Sequence, residues 1–470
     1  MKDKNTNKYR NNPKQKSNTS KTPSGKKLML DVDKLNIDLF GITLINDKPR
    51  IVRGALPYET VEAKENYING IGTVYDTVKV ISPSEYREEP PCKYYSECGG
   101  CNLLHMQYKR QLKEKTIMVK KHLRNVSVNY IDECVPSNPF ACRNKLHLAF
   151  AYKNGKTVVG FMDEDTHKVI EVRECLMHGE WYTTLSKALT EWANSYRISP
   201  YIPQKESGTL RFAVARKLGD AIMLTLVSHE KDIPFLKELY DSLCASFKNV
   251  SLYLNYNTER SNRVFSDDFT YLYGPEFLRG SILGVKFKLS PSSFFQTNEF
   301  ITEKIYSRVA EMVKSSDCET VIDLYSGIGI TSMLFAKTGK NVISIEYVKD
   351  AVKDAEFLAK ENKLKDKIKL YCGDCKEILP KINFDKNTFC FVDPPRRGLG
   401  NDVCLSIVKA SPKTLVYLSC NPESLACDLA VLLRKGYVIS SITPYDMFPN
   451  TRHVETLVVL DKKTKASFSK

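Results

Sequence analysis

From about residue 286 onward, short apolar runs alternate with amphipathic stretches, and this pattern restricts the fold more than any other feature. Segments 321–325, 341–346, 368–371, 388–392 and 414–418 read as strands, 350–360 and 422–435 as helices, and 437–442 and 455–460 as closing strands. Strands that alternate with helices need crossover connections, so they build a parallel, doubly wound sheet with ligands at its carboxyl edge. The predicted fold class of residues 286–470 is therefore α/β, Rossmann-like.

The residues at those strand ends suit a nucleoside cofactor. Asp323-Leu324-Tyr325-Ser326-Gly327-Ile328-Gly329 closes the first strand, with a helix expected from about Thr331. Its glycines let the backbone approach a ligand, but a third glycine is missing, which argues against a dinucleotide pyrophosphate. Glu346 ends the second strand, 23 residues after Asp323, where a carboxylate can accept from a ribose diol. Asp374 ends the third, placed for an adenine or its surroundings. Each carboxylate alone is an ordinary helix cap or surface group; three in order form a pocket.

The next strand ends hold reactive groups. Asp393-Pro394-Pro395-Arg396-Arg397-Gly398 follows the fourth strand, and its prolines stiffen the turn that carries Asp393. Ser419-Cys420-Asn421-Pro422 ends the fifth, where Pro422 opens a helix whose start is expected to lower the Cys420 thiol's pKa. Asp446-Met447-Phe448-Pro449-Asn450-Thr451-Arg452-His453-Val454-Glu455 leads into the last strand, with Glu455 a candidate base and His453 structural.

These segments, with Phe294-Phe295-Gln296-Thr297-Asn298, resemble the successive motifs of the RNA uridine-5-methyltransferase family, of the type acting on 23S rRNA. The resemblance implies a class I methyltransferase fold and S-adenosylmethionine as co-substrate. It makes Gln296, Tyr325, Glu346, Asp374 and Asp393 cofactor-contacting, Cys420 the nucleophile, Glu455 the general base and Asp393 a further catalytic residue. The chemistry asks for these types. A thiolate adding to uracil C6 makes C5 nucleophilic, and a carboxylate then removes the C5 proton. The target must be unpaired or flipped out. Ser326 replaces the family's usual cysteine, Ile330-Thr331 differs from its usual continuation, and Cys427 stands where arginine is common.

The chain has 14 cysteines. Without a secretory signal they are not a disulfide framework, and Cys244, Cys318, Cys390 and Cys404 are expected in the core. Cys92, Cys98 and Cys101 lie within ten residues beside Gly99-Gly100, a spacing that suits a metal or iron–sulfur centre. Cys175 is the best fourth ligand, ahead of Cys134 and Cys142. The resemblance implies a [4Fe-4S] cluster; a four-cysteine zinc site is the alternative.

The remaining organisation points to RNA. Net charge is +15; residues 1–27 hold nine Lys or Arg against one Asp, a net +8, leaving +7 for the rest. Residues 1–30 read as a basic disordered tail. Residues 31–90 read as a small β-barrel with strand alternation through Leu35, Ile37, Leu39, Ile42 and Leu44, similar to the OB-like TRAM domain, with Arg50, Arg53, Tyr58, Lys64 and Tyr67 available to RNA. Residues 91–285 form a central α+β domain. Its helix at 106–125 carries Lys109, Arg110, Lys113, Lys120 and Lys121, and Arg143-Asn144-Lys145 is a further candidate for phosphate contacts. No apolar stretch is long enough for a membrane span, so a cytoplasmic protein, monomeric for RNA access, is expected. Barrel and cluster favour 23S rRNA over tRNA as partner. An amino-group RNA methyltransferase and a non-catalytic RNA-binding assembly factor are the competing readings.

Overall fold

The computed structural model describes residues 25–463 except 69, 127, 129, 164, 167, 262 and 383–386; the expected tail at 1–24 lies outside the described residues. The chain divides into two compact units, one running to Glu85 apart from Ile37–Leu39, the other from Tyr86 onward.

The first unit is a six-stranded sheet of β1 (Lys27–Val32), β2 (Lys34–Leu35), β3 (Gly41–Ile45), β4 (Lys48–Arg53), β5 (Glu59–Ile68) and β6 (Gly72–Ser82), in the order β1-β5-β6-β4-β3-β2. Its end strands are not paired with each other among the described residues, so it is a half-barrel rather than a closed barrel. Irregular register at Thr60/Val61 and Glu62/Ala63 interrupts the β5–β6 ladder, as bulges that bend a sheet do. Leu30, Val32, Val52, Ala55, Val61, Ala63 and Tyr75 form the core. Two expectations need correction. β1 starts inside the expected tail, because Leu28, Leu30 and Val32 alternate against β5. The strand through Ile37 and Leu39 is instead a turn, which Asn36 closes by accepting from the Phe40 N–H at 2.9 Å.

In the second unit, α1 (Tyr95–Cys98) and α2 (Tyr108–His122) lead to a sheet of β7 (Lys145–Lys153), β8 (Lys156–Met162), β9 (Val169–Glu171), β10 (Leu210–Leu218), β11 (Ala221–Ser228), β12 (Asn249–Tyr256) and β13 (Phe269–Tyr273). The order is β13-β12-β11-β10-β7-β8-β9. Alternation splits its faces. Leu146, Leu148, Ala213, Ala215, Leu224 and Leu252 pack under α3 (Glu180–Ser195) and α4 (Leu236–Cys244), whereas Met223 and Tyr253 on the other face join the core that follows.

That core is continuous with the hairpin β14 (Leu278–Ile282) and β15 (Val285–Leu289), so the expected boundary at 286 falls within β15. After α5 (Glu299–Ser315) come β16 (Thr320–Leu324), α6 (Ile330–Lys337), β17 (Asn341–Glu346), α7 (Lys349–Glu361), β18 (Ile368–Cys372), α8 (Cys375–Ile378), β19 (Thr388–Val392), α9 (Gly400–Ala410), β20 (Thr414–Ser419), α10 (Pro422–Arg434), β21 (Tyr437–Tyr445) and β22 (Glu455–Lys462). The sheet order is β18-β17-β16-β19-β20-β22-β21, parallel except for β22, which is antiparallel to both neighbours. The chain winds outward through β17 and β18 and then returns beyond β16 to β19, so the switch point lies between β16 and β19. Cys318, Cys390 and Cys404 are buried as expected, but Cys244, the last residue of α4, is exposed. Among the described residues no helix is long and apolar enough to cross a membrane.

Candidate active site

The switch point brings the strand-end residues to one edge of the sheet. β16 enters the glycine turn through Tyr325, held at φ +60° by its N–H donating to the Ile345 carbonyl at 3.0 Å. Gly327 N–H donates to Glu346 Oε2 at 2.9 Å, and Val348 N–H to Glu346 Oε1 at 2.7 Å. Each carboxylate oxygen keeps a second lone pair, so Glu346 fixes the turn and still has acceptor capacity toward a ligand. Asp374 caps α8, its Oδ1 accepting from the Lys376 N–H at 3.0 Å.

Asp323 is fully buried. Its Oδ2 accepts from the Thr331 hydroxyl at 2.7 Å and the Ser332 hydroxyl at 2.5 Å, while Oδ1 has no partner among the described residues. Burial pushes its carboxyl up to about 7, against those two hydroxyls. Of the residues that depart from the family pattern, Thr331 binds Asp323, Ser326 accepts from the Ser344 hydroxyl at 2.7 Å, and Cys427 is exposed.

Sheet register sets the candidate reactive residues at neighbouring strand ends. Leu324 pairs with Val392, so Tyr325 and Asp393 leave adjacent strands together. Ser419 pairs with Thr456, which places Cys420 and Glu455 at the same end of antiparallel neighbours. Gln296 donates to Asp393 Oδ2 at 3.4 Å. Burial, then the charge of Asp323, raises Asp393 to about 7. Burial and Asp393 raise Glu455 well above the usual carboxylate range, with Arg396 opposing. The expected lowering of the Cys420 thiol is overturned: burial, then Glu455 and Asp393, push it up to about 11, and Arg396 only partly offsets them. Asn421 caps the α10 N-terminus, its Oδ1 accepting from the Glu423 N–H at 3.0 Å, so that donor is taken by Asn421.

Several supports were not legible as functional residues. The Asp393–Gly398 turn is locked to α10, since Asn421 Nδ2 and the Ser424 hydroxyl donate to the Arg396 carbonyl at 3.0 and 3.1 Å. Buried Asp428 accepts from the Leu399 N–H and the Tyr417 hydroxyl, both at 2.7 Å. Gly398 has φ +78°, and a Cβ there would lie 2.5 Å from Asp428 Oδ2. Tyr306 on α5 sits among Asp393, Asp323 and Glu455, whose charges add to burial in raising its hydroxyl. Asn298 caps α5 and donates to the Ser137 hydroxyl at 2.8 Å and the Met447 carbonyl at 3.1 Å.

The loop before Glu455 rests on α2. Lys115 Nζ donates to Asp446 Oδ1 at 2.5 Å and to the Phe448 carbonyl at 3.0 Å; both side chains of the pair have no exposed area. Tyr108 donates to Asp446 Oδ2 at 2.7 Å, and Gln111 Nε2 to Asn450 Oδ1 at 3.1 Å. The Asn450 carbonyl accepts from the N–H groups of Asn102 and Leu103 at 2.9 and 3.0 Å, directly after Cys101. The signal in the sequence is positional: Gln111, Lys115, Met118 and Val119 share the buried stripe of α2.

The cationic candidates divide. Lys109, Lys113, Lys120 and Lys121 are exposed, but Arg110 pairs with Glu114 at 2.6 Å and lies 4.0 Å over the Tyr86 ring. In the first unit Tyr58, Tyr67 and Lys64 are exposed, whereas Arg53 is paired with Asp76 at 2.5 Å. Asn144, expected at phosphate, is buried and donates to the Gln296 carbonyl at 3.2 Å and to Glu299 at 3.0 Å, because it fastens the segment that carries Gln296.

Cys92, Cys98, Cys101 and Cys175 line one cavity with Tyr94, Tyr95, Leu104 and Phe161, and none of the four is in a disulfide among the described residues. Burial raises Cys101 to about 12, with Arg143 lowering it. His178 Nδ1 lies 3.1 Å from Cys175 Sγ. Among the described residues no three His, Cys, Asp or Glu side chains are arranged to hold a metal ion. Cys134 is buried beyond this cavity's lining, and Cys142 is not part of it.

A family model described as tRNA (Uracil-5-)-methyltransferase matches residues 107–463. An RNA methyltransferase of Clostridium tetani is 34% identical over 436 residues, covering 90% of this chain and 94% of its own. One from Caldanaerobacter subterraneus is 34% identical over 457 residues, covering 94% and 100%. The crystal structure of Pyrococcus abyssi tRNA (uracil-54, C5)-methyltransferase in complex with S-adenosyl-L-homocysteine superposes with a TM-score of 0.76 at 27% identity, over 92% of this chain and all of that one.

Proposed function

From the premise that the chain belongs to the RNA uracil-5-methyltransferase family, and is an S-adenosylmethionine-dependent RNA uracil-C5 methyltransferase, we propose that Cys420, Glu455 and Asp393 carry the reaction, on a uridine of 23S rRNA. The supporting observation is their convergence: β19, β20 and antiparallel β22 end or begin at one edge, with Ser419 opposite Thr456.

Cys420 releases its thiol proton to solvent and the thiolate adds to uracil C6, forming the S–C6 bond and moving the ring electrons toward C5 and O4. S-adenosylmethionine supplies the electrophilic methyl group for C5. Glu455, buried and strongly basic for a carboxylate, then takes the C5 proton. The released electron pair restores the C5=C6 bond and expels the Cys420 sulfur. Asp393 holds its place between Gln296 and the other carboxylates. Gln296, Tyr325, Glu346, Asp374 and Asp393 would hold the co-substrate. The unpartnered buried Asp323 Oδ1 and the remaining lone pairs of Glu346 fit a polar ligand at that edge.

A [4Fe-4S] cluster held by Cys92, Cys98, Cys101 and Cys175 belongs to the same reading. A zinc ion needs every sulfur about 2.3 Å from one point, whereas a cluster gives each thiolate its own iron and holds the sulfurs further apart. Four cysteines that line one cavity, with Arg143 near Cys101, are what supports a bound group there, and the resemblance to the family is what favours the cluster over zinc. The cluster's part is structural, since the chemistry needs no electron. Brown colour in anaerobically purified protein, lost in Cys98→Ser, supports it; colourless protein with stoichiometric zinc refutes it.

The cluster cysteines favour ribosomal RNA in this reading, whereas the β-rich N-terminal unit, read as a TRAM domain, does not discriminate, because a tRNA enzyme superposes over 92% of the chain. The 27% identical tRNA enzyme favours tRNA as the second reading. Unmodified 23S rRNA and tRNA transcripts, offered separately with labelled S-adenosylmethionine, decide between them. Label as 5-methyluridine in 23S rRNA alone supports the proposal; label in tRNA alone replaces the substrate. The monomeric state is proposed with it and is read by light scattering.

A further inference from the structure

One seam outside the catalytic strand ends holds positive charge with no counter-charge. Lys145 on β7 and Arg216 on β10 are direct cross-strand partners. Like charges opposite each other in an antiparallel pair weaken a sheet. Arg216 is 5% exposed; its Nη2 donates to the Ser293 carbonyl at 2.8 Å, and its Nη1 has no partner. Neither cation forms an ion pair among the described residues, and Glu299, the carboxylate nearby in the chain, binds Asn144. Burial lowers the Arg216 guanidinium to about 10; burial and Arg216 lower the Lys145 ammonium to about 8. The neighbouring strap is also under-satisfied. Arg143 Nε, Asn144 Oδ1, Arg216 Nη1 and Thr297 Oγ1 are four of the ten buried side-chain polar atoms without a partner among the described residues.

A fold keeps such a pair where an anion completes it. The seam borders residues 293–297, which deliver Gln296 to Asp393, so an anion there lies beside the target base. Phosphodiester is the anion an RNA substrate brings. We propose that Lys145 contacts a phosphodiester flanking the flipped uridine, with Arg216 as a buried positive charge behind it that positions and strengthens this contact. The inference rests on the RNA-methylating activity and adds a recognition site to it.

The test uses the full chain, a short labelled oligouridylate and a salt titration. Lys145→Met weakens binding about tenfold, as loss of a charge-assisted contact does. It also lowers the slope of log affinity against log salt by about 0.7, as loss of one single-strand phosphate contact does. Lys145→Arg keeps both. Arg216→Met weakens binding less, and thermal stability of Lys145→Met is not reduced, because the like-charge pair is relieved. An unchanged slope overturns the site, as does equal loss in Lys145→Arg. A fall in S-adenosylmethionine affinity, measured by calorimetry, would place these cations at the co-substrate and overturn it too. Absence of binding by the unaltered chain would instead refute the single-stranded RNA reading along with the site.

Discussion

Replacing Lys115 by methionine tests whether α2 holds the loop that leads to Glu455. The ammonium and the Asp446 carboxylate have no exposed area and meet at 2.5 Å, so solvent cannot substitute for either. Methionine keeps most of the side-chain volume, and Tyr108 remains as the donor to Asp446 Oδ2. Removing one partner of a buried pair leaves an uncompensated charge and costs about 3–5 kcal/mol. The lost donor to the Phe448 carbonyl acts in the same direction. Equilibrium guanidinium unfolding should show this loss in Lys115→Met. Lys115→Met with Asp446→Asn should recover much of it, giving a coupling energy of roughly 2 kcal/mol or more. The turnover rate should fall further than RNA affinity, because Asp446 begins the segment that delivers Glu455. A loss below about 1 kcal/mol, or a double variant no more stable than the single, would refute a load-sharing pair.

Further perturbations address the reacting groups. Cys420→Ala should abolish methylation with S-adenosylmethionine affinity nearly unchanged, and joint loss of both would refute a purely chemical role. Glu455→Gln should accumulate a covalent protein–RNA adduct, visible on a denaturing gel, and its absence would reassign the base. With the Cys420 thiol near 11, its thiolate fraction rises about tenfold per pH unit below that value. Alkylation of the Cys420 peptide by iodoacetamide, followed by mass spectrometry, should therefore rise about tenfold per unit from roughly pH 7 to 9. A plateau in that window would show a lowered thiol. Gly398→Ala sets a Cβ against Asp428 at positive φ and should destabilise by at least about 1–2 kcal/mol in thermal melts. No measurable change would mean that the turn is free to move.

The strand ends were legible because each is an apolar run stopped by a polar or glycine residue, as at Val321–Gly329 and Cys390–Asp393. The supports were not, because their identity depends on distant neighbours. Nothing in the sequence singles out Lys115 until Asp446, 331 residues away, is set against it. Arg53 reads as an RNA contact until β6 brings Asp76 to it. β1 is hidden by the two lysines that precede its alternating leucines. The apparent boundary at 286 marks a change of pattern, but the hydrophobic core crosses it through β14 and β15.

Cys420 shows how local and tertiary influences compete. Locally, a helix start favours the thiolate. Across the sheet, β19 and β22 bring Asp393 and Glu455, and burial removes the water that would screen them. The sum favours the thiol, with Arg396 the cation that opposes both carboxylates. Thiolate formation therefore waits for ligands that add positive charge or accept the thiol's proton. On the proposed mechanism, Cys420 is silent until the site fills and is thereby protected from alkylation and oxidation between turnovers. On this argument, iodoacetamide labelling of Cys420 at about pH 8 should accelerate when S-adenosylmethionine is added to the RNA-free enzyme, provided access is kept open, because its sulfonium brings positive charge to the site. Unchanged labelling, with access verified by a neutral thiol probe, would show that the two carboxylates do not govern the thiol.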